Sequence, residues 1–255
     1  MINNGIQVLI ELDNGTTCTE YNRDRNTYIE GRKGSTYNIR VINNNYFRVG
    51  VVVSVDGLNV IDGKLASDKS QQYLIGRYQT IIIKGFRISD KEVRRFEFSS
   101  KESSYSNKTG NGVDNSGVIG VVAFQEKIAR IHHVVQDSSL IWMDLVTRKD
   151  TVPRRIQVGS PYQPQNINYL SLSQINASYA ATASHVLTQL GTAMRDKVQS
   201  EVTYLEFTHE DKSLTRMVIF YNTRKELEKM GLIVKKISNP TKIPNPFPGN
   251  YCKEV

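Results

Sequence analysis

The stretch Val51-Val-Val-Ser-Val-Asp-Gly-Leu-Asn-Val-Ile-Asp-Gly-Lys64 restricts the fold more than any other part of the chain. Its valines are β-branched, stiff at χ1 and suited to a pleated surface. From Phe47 to Val55 the apolar residues fall on nearly consecutive positions, which predicts a central strand covered on both faces. Asp56-Gly57 and Asp62-Gly63 are dipeptides that accept the positive φ of tight turns, and they bracket a short strand from Leu58 to Ile61. Upstream, Tyr37, Ile39 and Val41 alternate with Thr36, Asn38 and Arg40, the period of a half-buried strand. Asn43-Asn-Asn45 follows as a turn, so residues 35–41 and 47–55 are expected to pair as a hairpin.

Further strands are expected at 7–12, 80–84, 96–99 and 117–130, with Gly117 and Gly120 marking a bulge or a close backbone approach. Ser99 to Gly112 is polar and glycine-containing and reads as an exposed loop, the usual place for binding residues. Ile141–Val146 could be a strand, and residues 152–165 an extended connection. Leu172, Ile175, Tyr179, Ala183, Val186 and Leu190 fall at helical spacing, with Gly191 placed to end a helix over 172–190. Residues 202–208 and 214–221 flank a polar turn at 209–213 and read as a second hairpin. Asn222 or Thr223 is positioned to cap a helix from Arg224 to Met230, Gly231 to end it, and a last strand would run from Leu232 to Ile237.

Strands spaced by turn signals in this way predict a mainly β fold: an antiparallel β-sandwich, jelly-roll or immunoglobulin-like, with one or two short helices. Four segments are expected: a sandwich domain at 1–131, a connecting region at 132–200, a hairpin, helix and strand packed on the sandwich at 201–238, and an extended arm at 239–255. The prolines of the arm exclude helix and central strand.

The search for chemistry is short. Gly57 to Lys64 has five residues between its glycines where a phosphate loop has four, and Leu65 stands where the magnesium-binding hydroxyl belongs. Gly110-Asn-Gly112 lacks the third glycine of a dinucleotide fingerprint. His132 and His133 are adjacent in a strand-like stretch and would point to opposite faces, while His185 and His209 lie far apart in sequence. Asp56 and Asp62 each precede a glycine and read as turn formers. Neither a catalytic residue, a metal ligand nor a cofactor is therefore expected. Cys18 and Cys252 are expected as buried or idle thiols rather than as a disulfide framework, the alternative being one long-range bridge that ties the tail to the N-terminal strands. The net charge of +8 is dispersed in doublets, which suits an acidic partner and argues against a nucleic-acid stripe. No apolar run has the length of a membrane span and no signal peptide is legible, so assembly in a cytoplasm is expected.

Glu30-Gly-Arg-Lys-Gly-Ser35, Val53 to Lys64, Gly85-Phe-Arg87, Phe96-Glu-Phe98, Gly117-Val-Ile-Gly-Val121, Tyr221-Asn-Thr-Arg-Lys-Glu-Leu227 and Pro244-Asn-Pro-Phe-Pro248 resemble a family of uncharacterised proteins encoded in bacterial, tailed-phage and large-virus genomes. The resemblance spans most of the chain apart from about 132–200 and implies no catalytic residues. It implies a virion structural protein (a decoration, minor capsid, collar or tail-associated subunit) located in the virion. Its partners would be other virion proteins and copies of itself, with neither membrane nor nucleic acid. Tyr105, Asn107 and Lys108 in the polar loop, and Asn245 and Phe247 in the arm, are the expected interaction residues. The alternative is a carbohydrate- or surface-binding β-sandwich module that uses Tyr73, Tyr78 or Tyr105 as stacking platforms for a glycan.

Overall fold

A computed structural model describes residues 1–127 and 188–234. In chain order the strands are β1 (Ile2–Asn3), β2 (Ile6–Leu12), β3 (Glu20–Arg23), β4 (Asn26–Glu30), β5 (Thr36–Asn43), β6 (Val49–Val55) and β7 (Leu58–Asn59). They continue with β8 (Tyr73–Ile75), β9 (Thr80–Ile83), β10 (Gly85–Arg87), β11 (Glu92–Ser100), β12 (Val118–Gln125), β13 (Leu190–Gln199) and β14 (Thr215–Asn222). Two short helices complete the described elements, α1 (Tyr105–Lys108) and α2 (Arg224–Lys229).

The strands form two seven-stranded sheets. The first runs β1-β2-β5-β11-β10, with β9 also on β5 and β13 on β11; the second runs β3-β4-β14-β12-β6-β7, with β8 also on β6. Every pairing is antiparallel except β4 with β14. One apolar core joins the inward faces: Ile6, Val8, Tyr37, Ile39, Phe96 and Phe98 from the first sheet meet Val51, Val53, Ile119, Val121, Ile219 and Tyr221 from the second. This is the expected mainly β sandwich.

All seven residues of β6 are buried, as its unbroken apolar run requires. Val51, Val53 and Val55 face the core between the sheets, while Val52 packs outside with Ala66, Val122 and Phe124. A further cluster of Tyr28, Leu227 and Ile233 seats α2 on the same outer side. Thr223 caps that helix, its side chain accepting from the Glu226 N–H, and Gly231 follows with φ +71°. No described helix is long and apolar enough to cross a membrane.

The structure departs from the sequence reading at four described places. Residues 35–41 and 47–55 are not a hairpin: β5 lies in the first sheet and β6 in the second. The cause is Asn43, fully buried, whose amide donates to Phe47 O at 2.8 Å and Gly76 O at 2.9 Å while its Oδ1 accepts from Asn45 N. These bonds turn the chain across the sandwich instead of back along the sheet.

Leu190 opens a strand rather than closing a helix, and residues 172–187 of the expected helix lie outside the described residues. Gly191 serves close approach instead of helix termination, since a Cβ there would lie 2.6 Å from the Cβ of Ser104.

Residues 202–208 form no strand; β14 pairs with β12 and β4, and only an isolated bridge joins His209 to Glu126. The segment crosses from one sheet to the other as a strap, placing His209 against Phe124 with ring centroids 4.4 Å apart.

Residues 232–234 are not in a strand, because Leu232 and Ile233 pack under α2. Residues 141–146, 152–165 and 235–255, with Asn245, Phe247 and Cys252, lie outside the described residues.

Candidate functional site

The turn after β6 carries the most perturbed acid among the described residues. Val55 pairs with Leu58, so Asp56-Gly57 is a two-residue hairpin loop, and both residues have positive φ, +52° and +79°. Turn formation was expected; burial was not. Asp56 is 2% exposed. Its Oδ1 accepts from Gly117 N at 2.8 Å and from the Tyr221 hydroxyl at 2.5 Å, and its Oδ2 accepts from Thr192 N at 2.6 Å. The Thr192 hydroxyl lies 2.7 Å from both the Tyr221 and the Tyr37 hydroxyls. The chain of polar groups thus runs from the second sheet (Asp56, Tyr221) to the first (Thr192, Tyr37). Around it Tyr37 stacks on Phe98 at 4.3 Å, and Phe98 meets Tyr221 at 5.2 Å.

Burial pushes the Asp56 carboxyl up to about 6, and the hydrogen bonds it accepts from Tyr221, Thr192, Gly117 and Val118 oppose the shift without cancelling it. Burial, with the Asp56 charge beside them, likewise pushes the Tyr37 and Tyr221 hydroxyls well above their usual range. A perturbed carboxyl in a cleft would suggest catalysis. Here the carboxyl is sealed between aromatic rings and both oxygens are occupied, so its role is to fasten the sheets. Nothing in the local sequence marked it, because its partners come from Gly117 just before β12 and from β13 and β14.

The loop at 99–112 is more ordered than its composition suggests. Ser99 and Ser100 end β11, and Ser104 caps α1 by accepting from Asn107 N. Tyr105 is half-buried, its ring 4.8 Å from Phe86, and so is no open stacking platform. Asn107 and Lys108 are exposed, with the Asn107 amide donating to Glu102 O. Tyr73 is also half-buried, with the Arg87 guanidinium carbon 6.0 Å from its ring centroid.

Tyr78 is 71% exposed, and Tyr46, which sequence reasoning passed over, is 70% exposed. Their loops touch: Tyr78 N donates to Asn45 O at 3.2 Å. Tyr78 is held at φ +53°, and the Tyr46 ring sits edge-on to Phe47 at 5.1 Å. Two aromatic side chains therefore stand out of a corner that Asn43 fixes from within.

A groove of about 670 Å³ opens on the flank of the sandwich, between β8 and β9–β10, under the strap at 200–207. Ile81, Ile83 and Phe207 supply apolar walls, and Gln72, Lys84, Arg87 and Tyr204 supply polar atoms. Gly50 is needed here, since a Cβ would lie 2.4 Å from Phe207 and 2.1 Å from Gln72 Oε1. Among the described residues no three His, Cys, Asp or Glu side chains gather as a metal site.

Comparison with protein-family models, curated proteins and solved structures gives no match for this chain.

Proposed function

We propose that this chain is a virion structural protein, a decoration, minor capsid, collar or tail-associated subunit that works through protein–protein contacts. The observation that carries the reading is the Tyr46–Tyr78 corner: two large aromatic side chains, about 70% exposed, on loops that bond to each other. Rigid exposed tyrosines lose little side-chain entropy on docking and are the residue type that dominates interface energies. A sandwich fastened across its core by Asp56 supplies the stiff support such anchors need. The sequence resemblance to proteins encoded by phages and large viruses points the same way. Mass spectrometry of purified particles should find the protein, and Tyr46→Ala with Tyr78→Ala should deplete it from particles while leaving its thermal unfolding unchanged. Particles that lack the wild-type protein overturn the proposal.

The groove favours a second reading, a carbohydrate- or surface-binding module, because it places aromatic and hydrogen-bonding side chains together on an open flank. Saturable binding on a glycan array would support it, and an array with no binding would count against it.

A further inference from the structure

We infer that the flank groove is a saccharide site, selective for short acidic oligosaccharides; the inference rests on the second reading above and gives it a place and a ligand class. Two polar atoms of the groove residues are buried without a hydrogen-bond partner, Gln72 Oε1 and Arg87 Nε. One is an acceptor and the other a donor. Hydroxyl groups answer either kind, donating to an acceptor or accepting from a donor, whereas a carboxylate or an ammonium answers only one. Arg87 is already held in place, with Nη1 donating to Ser89 O at 3.0 Å and Ser200 O at 2.9 Å. Its Nε direction is therefore set before any ligand arrives.

Access runs under the strap. Val202 N donates to Asp90 O, and Thr208 O accepts from Lys127 N. Between those anchors, residues 203–207 make no main-chain to main-chain hydrogen bond among the described residues, and lifting them breaks the bond that the Tyr204 hydroxyl donates to Asp90. Tyr204, 48% exposed, lies on this strap and offers an aromatic face to the C–H side of a sugar ring. Lys84 and Arg87 outnumber Glu201 in the lining, which favours a ligand carrying carboxylates over a neutral one. The volume of about 670 Å³ falls within the roughly 300–1,000 Å³ of small-molecule sites.

Isothermal titration of the full chain with tetragalacturonate and with neutral cellotetraose tests the assignment. The acidic tetramer should bind saturably, at least tenfold more tightly than the neutral one. Gln72→Leu should weaken it at least tenfold and Lys84→Ala severalfold, while Tyr78→Ala, outside the lining, should leave it unchanged. Circular dichroism confirms that each variant is folded. Equal affinity for both tetramers overturns the acidic selectivity. Binding undiminished in Gln72→Leu and Lys84→Ala overturns the site while sparing the module reading. No binding of either tetramer overturns the site; a glycan array that is also blank overturns the module reading with it.

Discussion

Replacing Asp56 by Asn tests whether the buried carboxyl governs the pH dependence of folding. Asn tolerates the left-handed backbone at φ +52°, so the turn survives the change. Its Oδ1 still accepts from Gly117 and Tyr221, but an NH2 group now faces the Thr192 N–H across 2.6 Å. A donor set against a donor costs about 1–3 kcal/mol at any pH. The pH-dependent part is separate.

In the folded chain the carboxyl titrates at about 6 instead of 3.8, so the native state holds its proton more tightly than the unfolded state does. That contribution is fully present below pH 3.8 and is lost as pH rises through about 6. At about 1.4 kcal/mol per pH unit, the loss amounts to about 3 kcal/mol. Urea unfolding of both proteins from pH 3 to pH 7.5, with one subtracted from the other, cancels every other titrating group. The advantage of wild type over Asp56→Asn should shrink by about 3 kcal/mol across that range. A flat difference refutes the reasoning, and an increase would mean that the hydrogen bonds to Asp56 outweigh burial.

Tyr221→Phe removes one donor to Asp56 and one partner of Thr192; it should cost roughly 2–3 kcal/mol in urea unfolding and move the Asp56 titration further upward. Gly117→Ala forces a side chain onto φ +84° and places its Cβ 2.3 Å from Thr188, so equilibrium unfolding should show a loss of roughly 2–4 kcal/mol. Thr223→Ala uncaps α2 and should cost about 1 kcal/mol by the same measurement. Burial, with the Glu30 charge secondary, pushes the Cys18 thiol up to about 11 from 9.0. In a Cys252→Ser background, a colorimetric thiol reagent at pH 8 should therefore react roughly a hundredfold more slowly with the native protein than after denaturation.

Much of the fold was legible because strand periodicity is local. The alternation through Thr36–Val41 matches β5, and the unbroken apolar run before Asp56 matches β6, buried at every position. Thr223 and Gly231 marked the ends of α2 through residue chemistry that acts within a few positions. Which strand pairs with which was less legible. Asn43-Asn-Asn45 favours a turn in either fold, and the choice between hairpin and sheet crossing is made by Asn43 bonding to Gly76, far along the chain. Leu190 and Gly191 fitted a helix end by spacing, yet β11 draws them into a ladder that the local pattern cannot foresee. The strap at 202–208 has strand-like composition but follows the outer face of the second sheet, where Gly50 leaves room for Phe207.

The candidate sites were least legible, for one physical reason. Exposure of an aromatic depends on what the fold places over it, not on its neighbours in sequence. Tyr73, Tyr78 and Tyr105 all sit near polar or turn residues, but Arg87 covers the first and Phe86 packs against the third. Only Tyr78 stays open, and its companion Tyr46 follows the asparagines that read simply as a turn. Asp56 shows the converse. Its place before Gly57 accounts for the backbone, and any residue tolerant of positive φ would meet that need. An acid is required only because Gly117, Thr192 and Tyr221 all donate to the same point between the sheets. A turn residue selected by local geometry thus becomes the group that ties the end of β6 to β13, to β14 and to the residue just before β12.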